Sequence, residues 1–191
     1  MKRCSWTGEN QLMIVYHDTE WGVPLHNDRK LFEFVALETV QAGLSWQLVL
    51  NKRENFRKAF HRFDPAKIAR YTARDIRRLM ADPGIIRNRA KIQATVTNAQ
   101  RFLDVRAEFG SFNRYIWQFV DGTPIQHRFR SLSQIPAITK ESDAMSRDMK
   151  ARGFKFVGST TCYAFMQAVG MVNDHLVDCF RYREVSEVRA P

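Results

Sequence analysis

His175 and Cys179 stand four positions apart near the C-terminus, and Cys4 and His17 lie near the N-terminus. On a predicted helix, residues four apart share one face, so His175 and Cys179 can grip one ion. With Cys4 and His17 they make two cysteines and two histidines, a full tetrahedral zinc set. Four protein ligands leave no open position for water, which suits a structural zinc joining the N-terminal arm to the C-terminal helix. The Cys4/His17 spacing is not that of a standard knuckle. The same four residues also read as two core cysteines and two hydrogen-bonded histidines. Three cysteines in all, an odd number, argue against a disulfide framework. Cys162 falls in an apolar helical pattern and reads as core. His26, His61 and His127 have no evident partners and read as surface residues.

Glu38 continues the helical stripe of Leu31, Phe34 and Val35, so its carboxylate should point inward. A buried carboxylate is costly unless it is paired or awaits a polar ligand. Tyr16, Trp21 and Trp46 are flat rings suited to stacking on a base. The alternative is a Glu38 that caps backbone amides or pairs with an arginine, among aromatics that are simply core.

Residues 79–91, LMADPGIIRNRAK, read as helix, tight Pro-Gly turn and helix. Amides at the start of the second helix can bind a phosphate, and Arg87, Arg89 and Lys91 surround that spot with positive charge. Such contacts position a protein on DNA without reading sequence. The pattern resembles a helix-hairpin-helix element, with Ile86 where a second glycine is usual. An ordinary helix–helix turn with a basic face is the other reading.

The elements that must position these residues are helical almost throughout. Asn27 or Asp28 caps the helix carrying Glu38, and Gln41–Ser45 forms a break whose Ser45 caps the next helix. Asp64-Pro65 and Thr72/Asp75 mark two further starts. A helix after the Pro-Gly turn carries Ile92, Val96, Ala99 and Leu103 on one face. Ser111 starts another, and residues 121–139 read as a loop. Helices follow near 141–152, stopped by Gly153, and from Thr160 to Gly170, with a last one after Asn173. No alternating stretch demands a sheet.

A hydrophobic content of 45% over 191 residues supports a real core. No apolar run is long enough for a membrane span, and MKRCSWTGEN lacks the apolar stretch of a signal peptide. The reading is a cytoplasmic chain with no membrane partner. The net charge is +10, and residues 51–106 carry all of it, with 15 Lys/Arg against 5 Asp/Glu. Such a block points to a polyanion, usually nucleic acid, or to a solvated basic surface.

Seven stretches carry a family resemblance: RCSW (3–6), YHDTEWGVP (16–24), LETVQAGLSW (37–46), KREN (52–55), GIIRNRAKI (84–92), RGFKFVGST (152–160) and NDH (173–175). Together they make residues 3–180 similar to the 3-methyladenine DNA glycosylase I family. The resemblance implies an all-α helix-hairpin-helix glycosylase fold with an added structural zinc on Cys4, His17, His175 and Cys179. It implies one unit over residues 1–185, with a hairpin lobe near 28–110 and a zinc-stapled lobe of 1–27 plus 111–185, then a tail over 186–191. After Tyr182 the family offers no counterpart. Glu38 becomes the carboxylate that recognises the base, and Tyr16, Trp46, Trp6 and Trp21 line the pocket. Gly43 and Leu44 match the loop that enters the duplex gap, and Gly84, Arg87, Arg89 and Lys91 are candidate DNA contacts. Met13 departs from the family, where an aromatic is common. Asn88 stands where bifunctional relatives place a lysine, so no Schiff-base nucleophile is offered. The implied activity is monofunctional excision of 3-methyladenine from double-stranded DNA, by a monomer. A non-catalytic damaged-DNA-binding module and a zinc hydrolase remain as competing readings.

Overall fold

Most helices start where the sequence offers a cap. In the computed structural model, which describes residues 1–187, Asn10 accepts from the Leu12 and Met13 amides and opens α1 (Gln11–Thr19). Asn27 caps α2 (Asp28–Gln41) and Ser45 caps α3 (Trp46–Ala59). Asp64, with Pro65 in the first turn, opens α4 (Pro65–Ile68), and the Thr72/Asp75 capping box opens α5 (Ala73–Ala81). Asn88 caps α6 (Arg89–Phe109), which ends at a left-handed Gly110. Ser111 opens α7 (Phe112–Trp117), and Thr139 opens α8 (Lys140–Ala151). α9 (Ser159–Ala168) and α10 (Phe180–Ser186) complete the described helices. The segment 121–139 is mostly loop, as expected. It also supplies Ile125–Gln126 (β1), which pairs in parallel with Val172–Asn173 (β2).

α2 is the axis of the molecule. The sequence suggests one inward stripe, but every residue from 31 to 40 is buried. α3, α6, α7 and α9 all pack on α2, and a helix enclosed on every side needs apolar residues on every side. Phe32 meets Phe102 at 5.1 Å between ring centroids, and Phe102 meets Phe112 at 4.4 Å. Glu33 and Glu38, the two acids of the 31–40 stretch, are therefore both inside. Glu33 is satisfied by Arg53 and Arg57 of α3, at 2.6 and 2.7 Å.

The N-terminal arm docks on α9 through backbone bonds. The Gly22 amide donates to the Gln167 carbonyl and the Leu25 amide to that of Val169. Gly170 has a φ of +72°, and a Cβ there would stand 2.3–2.5 Å from the Val23 and Pro24 backbone. Only glycine permits that approach.

One expectation is corrected at the C-terminus. His175 and Cys179 are not on a helix, because α10 begins only at Phe180 and Cys179 is its N-cap. The backbone groups between them have non-helical partners: the Leu176 amide donates to Cys4 Sγ and the Cys179 amide to the Leu176 carbonyl. α10 also continues past Tyr182 to Ser186, while residues 188–191 of the anticipated tail lie outside the described residues. The three remaining histidines, expected at the surface without partners, are indeed not buried, and His61 is exposed, but each has a partner. His26 meets Asn113 Oδ1 at 2.9 Å, His61 meets the Tyr71 hydroxyl at 2.6 Å, and His127 meets Asp174 at 2.6 Å.

Candidate active site and metal cluster

α1, α2, α3 and α9 enclose a cavity of about 220 Å³. Trp6, Tyr16, Trp21 and Trp46 form its aromatic walls, with Met13 beside them and Glu38 facing in. The rings support one another: Tyr16 and Trp46 lie 5.3 Å apart between centroids, and Trp6 meets Trp21 edge-on at 5.0 Å. Trp46 Nε1 is buried without a hydrogen-bond partner among the described residues. A buried donor left without an acceptor is costly, so this N–H is suited to a ligand acceptor.

Glu38 is 5% exposed, and no side chain or amide among the described residues pairs with it. Burial pushes its carboxyl up to about 8. Tyr16 stays a protonated hydroxyl, because burial and then the Glu38 carboxylate raise its pKa well above the usual phenol value. The cavity thus offers an acid whose charge is poorly solvated, among electron-rich faces. That combination favours a flat, cationic or amine-bearing guest.

Behind the aromatic walls, one ligand atom each from Cys4, His17, His175 and Cys179 lies within 4.8 Å of the others, all buried. Cys179 Sγ is 3.4 Å from His17 Nε2 and 3.7 Å from His175 Nδ1, and Cys4 Sγ is 3.8 Å from His175 Nδ1. Bonds of about 2.0–2.3 Å in a tetrahedron require ligand separations of roughly 3.3–3.8 Å, so these three separations suit a bound metal ion. The outer nitrogens are held: His17 Nδ1 donates to Asp18 at 2.7 Å and His175 Nε2 to the Trp21 carbonyl at 3.0 Å. These bonds fix which nitrogen of each ring faces the sulfurs. The Cys4 thiol beside it is the main influence lowering the Cys179 pKa, and burial opposes it.

The turn after α2 places Gly43 at a φ of +77°, closed by the Leu44 amide donating to the Gln41 carbonyl, and leaves Leu44 exposed. Between α5 and α6 the chain is held from α3: Lys52 donates to the Pro83 and Gly84 carbonyls and Asn55 to that of Gly84. The Gly84 amide already donates to Asp82 Oδ1, so it is not free to meet a phosphate. Arg87 and Arg89 are exposed, and the Arg89 and Ala90 amides precede the first intrahelical bond of α6. Lys91 does not join them. It is buried, and its ammonium donates to the Val40 and Ala42 carbonyls at 2.7 and 2.6 Å. The end of α2 leaves carbonyls without helical partners, and a lysine one turn into α6 reaches them.

A family model described as methyladenine glycosylase matches residues 6–182. The chain belongs to the methyladenine glycosylase family. It is 51% identical over 182 residues to DNA-3-methyladenine glycosylase 1 of Escherichia coli strain K12, covering 95% of this chain and 97% of the relative. A crystal structure of 3-methyladenine DNA glycosylase I superposes with a TM-score of 0.92 at 52% identity, covering 94% of this chain and 98% of the other. A variant of 3-methyladenine DNA glycosylase I in complex with 3-methyladenine also reaches 0.92, at 36% identity over the whole of both chains.

Within this methyladenine glycosylase chain, the structure brings Glu38, Tyr16, Trp46, Trp6 and Trp21 to one cavity and the four metal-type ligands to one cluster. Sequence reasoning missed Gln41, Gln167 and Ile135, which also line the cavity. Gln167 is anchored by donating to Asp174 at 2.7 Å, and Asp174 also accepts from Tyr163 and His127. The NDH segment was the available signal, but nothing in it points to α9.

Proposed function

We propose that this chain is a monofunctional DNA glycosylase that hydrolyses the N-glycosidic bond of 3-methyladenine in alkylated double-stranded DNA, leaving an abasic site for base-excision repair. The observation that carries the reading is Glu38: a buried, unpaired carboxylate facing an aromatic-walled cavity in a chain of this family. A methyl group at N3 makes adenine cationic, so its glycosidic bond is already weakened. The enzyme must extrude the nucleotide and recognise the base. Glu38 accepts a hydrogen bond from the exocyclic amine, and its charge complements the cation. Tyr16, Trp46, Trp6 and Trp21 stack on or border the ring. The bond between C1′ and the base nitrogen breaks with its electron pair leaving on the base, which departs neutral. A water oxygen then bonds to C1′ and its proton passes to solvent.

α5, the 82–88 segment and α6 act as the helix-hairpin-helix element, with Arg87, Arg89 and the first-turn amides of α6 on backbone phosphates. The Gly43–Leu44 turn enters the gap left by the extruded base. One structural zinc on Cys4, His17, His175 and Cys179 staples residues 1–27 to 111–185 around the hairpin lobe of 28–110. The enzyme works as a cytoplasmic monomer. The test is incubation with methylated DNA followed by chromatography of released bases. 3-Methyladenine should be released while strands stay intact, and the absence of any released base refutes the reading.

A further inference from the structure

Phe156 has a φ of +56°, a conformation that bulky residues rarely adopt, and it is 41% exposed. The surrounding chain enforces it. Phe154 and Val157 on either side are buried, and the Ser146 hydroxyl donates to the Val157 carbonyl at 2.6 Å. Fully buried Asn98 holds both backbone groups of Lys155: its Nδ2 donates to the carbonyl at 3.0 Å, and its Oδ1 accepts from the amide at 2.8 Å. Left-handed backbone destabilises any residue with a Cβ, and a half-exposed ring recovers little by burial. On stability alone, glycine would suit position 156 better than phenylalanine.

The ring's location gives it a use. It borders a groove of about 420 Å³ lined by Ala90, Gln93, Ala94 and Thr97 of α6 together with Lys155, and no carboxylate lines that groove. On its other side it meets a small cavity shared with Glu38 and Thr161. Thr160 and Thr161 in turn face the Ala42–Leu44 turn. Phe156 therefore stands between the exposed arginines at the head of α6 and the mouth that leads to Glu38.

We propose that Lys155 and Phe156 form a second DNA-contacting point. The Phe156 ring lies against the deoxyribose and base edge flanking the extruded nucleotide, and the Lys155 ammonium meets an adjacent phosphate. An exposed flat ring beside the Lys155 ammonium, on a groove with no acid, fits duplex DNA. The inference rests on the glycosylase reading above.

Phe156→Gly tests it, because this change removes the ring and also relieves the backbone. The melting temperature should hold or rise, and free 3-methyladenine binding should be unchanged. Affinity for a duplex carrying an abasic-site analogue should fall about tenfold. Phe156→Leu keeps the packing against Met145 and Met149 but not the flat ring, and should lose duplex affinity as well. Lys155→Ala should lower the log–log salt slope of duplex binding by about one. Unchanged duplex affinity in both Phe156 variants overturns the proposal. So does a lower melting temperature with parallel loss of free-base binding, which marks the ring as structural. Failure of the unaltered protein to release 3-methyladenine sinks the glycosylase reading instead, and the abasic-duplex comparison still reads out.

Discussion

His175 joins the metal cluster to the base cavity: its Nε2 donates to the Trp21 carbonyl at 3.0 Å while its Nδ1 faces both cysteine sulfurs. The Trp21 ring stands edge-on to the same imidazole at 4.6 Å. Tyr16 precedes His17 in the chain, and Trp6 follows Cys4 by two residues and meets His17 edge-on at 5.3 Å. Three walls of the cavity are thereby tied to metal-type ligands.

Metal removal should therefore act on the pocket as well as on stability. Chelation or Cys179→Ala should lower metal content and melting temperature together, since structural zinc contributes to folding. Below the lowered melting temperature, free 3-methyladenine affinity should also fall. Elemental analysis, thermal melts and base titration by NMR check this. Intact base affinity in metal-free, folded protein would break the link between cluster and cavity.

Glu38→Gln should weaken free-base binding by roughly 10- to 150-fold, the loss of one charge-assisted hydrogen bond of about 1.5–3 kcal/mol. Undamaged-duplex affinity should hardly change, because phosphates dominate it.

The same residue sets a pH dependence. Burial raises its pKa from 4.5 to about 8, so between those values the folded state holds a proton that the unfolded state lacks. Glu38's contribution is complete below pH 4.5 and is lost as pH rises through 8. Relative to Glu38→Gln, the unliganded protein should lose stability across that window, by at most about 4–5 kcal/mol at 1.36 kcal/mol per unit. Urea melts at pH 5 and pH 8.5 measure the difference, and a pH-independent gap would refute it. A cationic base favours ionised Glu38, so excision should rise with pH through this range and stay flat in Glu38→Gln.

Arg87→Ala and Arg89→Ala should each lower the log–log salt slope of duplex binding by about one. Lys91→Met should leave the slope alone and lower the melting temperature, because the Val40 and Ala42 carbonyls lose their donor. A slope change in Lys91→Met would move that ammonium back to the DNA face.

Borohydride trapping on methylated DNA should give no protein–DNA adduct. Asn88 offers no amine, and the nearby Lys91 ammonium is engaged with backbone carbonyls. A covalent band on a denaturing gel would identify a different nucleophile and a lyase activity.

The helix starts were legible in the sequence because caps are local: Asn27, Ser45, Asp64, Thr72 and Ser111 act within three residues of themselves. The inward aim of Glu38 was legible for the same reason, since helical periodicity needs only neighbours in the chain. Periodicity could not separate Glu38 from Glu33. Both are buried on α2, and Glu33 is neutralised by arginines 20 and 24 residues away while Glu38 faces a cavity. Lys91 looked like a surface cation because charge in a sequence carries no direction, and its carbonyl partners lie about fifty residues back. His175 and Cys179 looked like a helical pair, but their turn is shaped by Cys4, from the opposite end of the chain. Residue types, caps and the ligand inventory were thus fixed by local chemistry. Which acid is left unpaired, which cation faces solvent and how the two chain ends meet were decided by packing between distant segments, because burial and pairing are properties of the assembled fold.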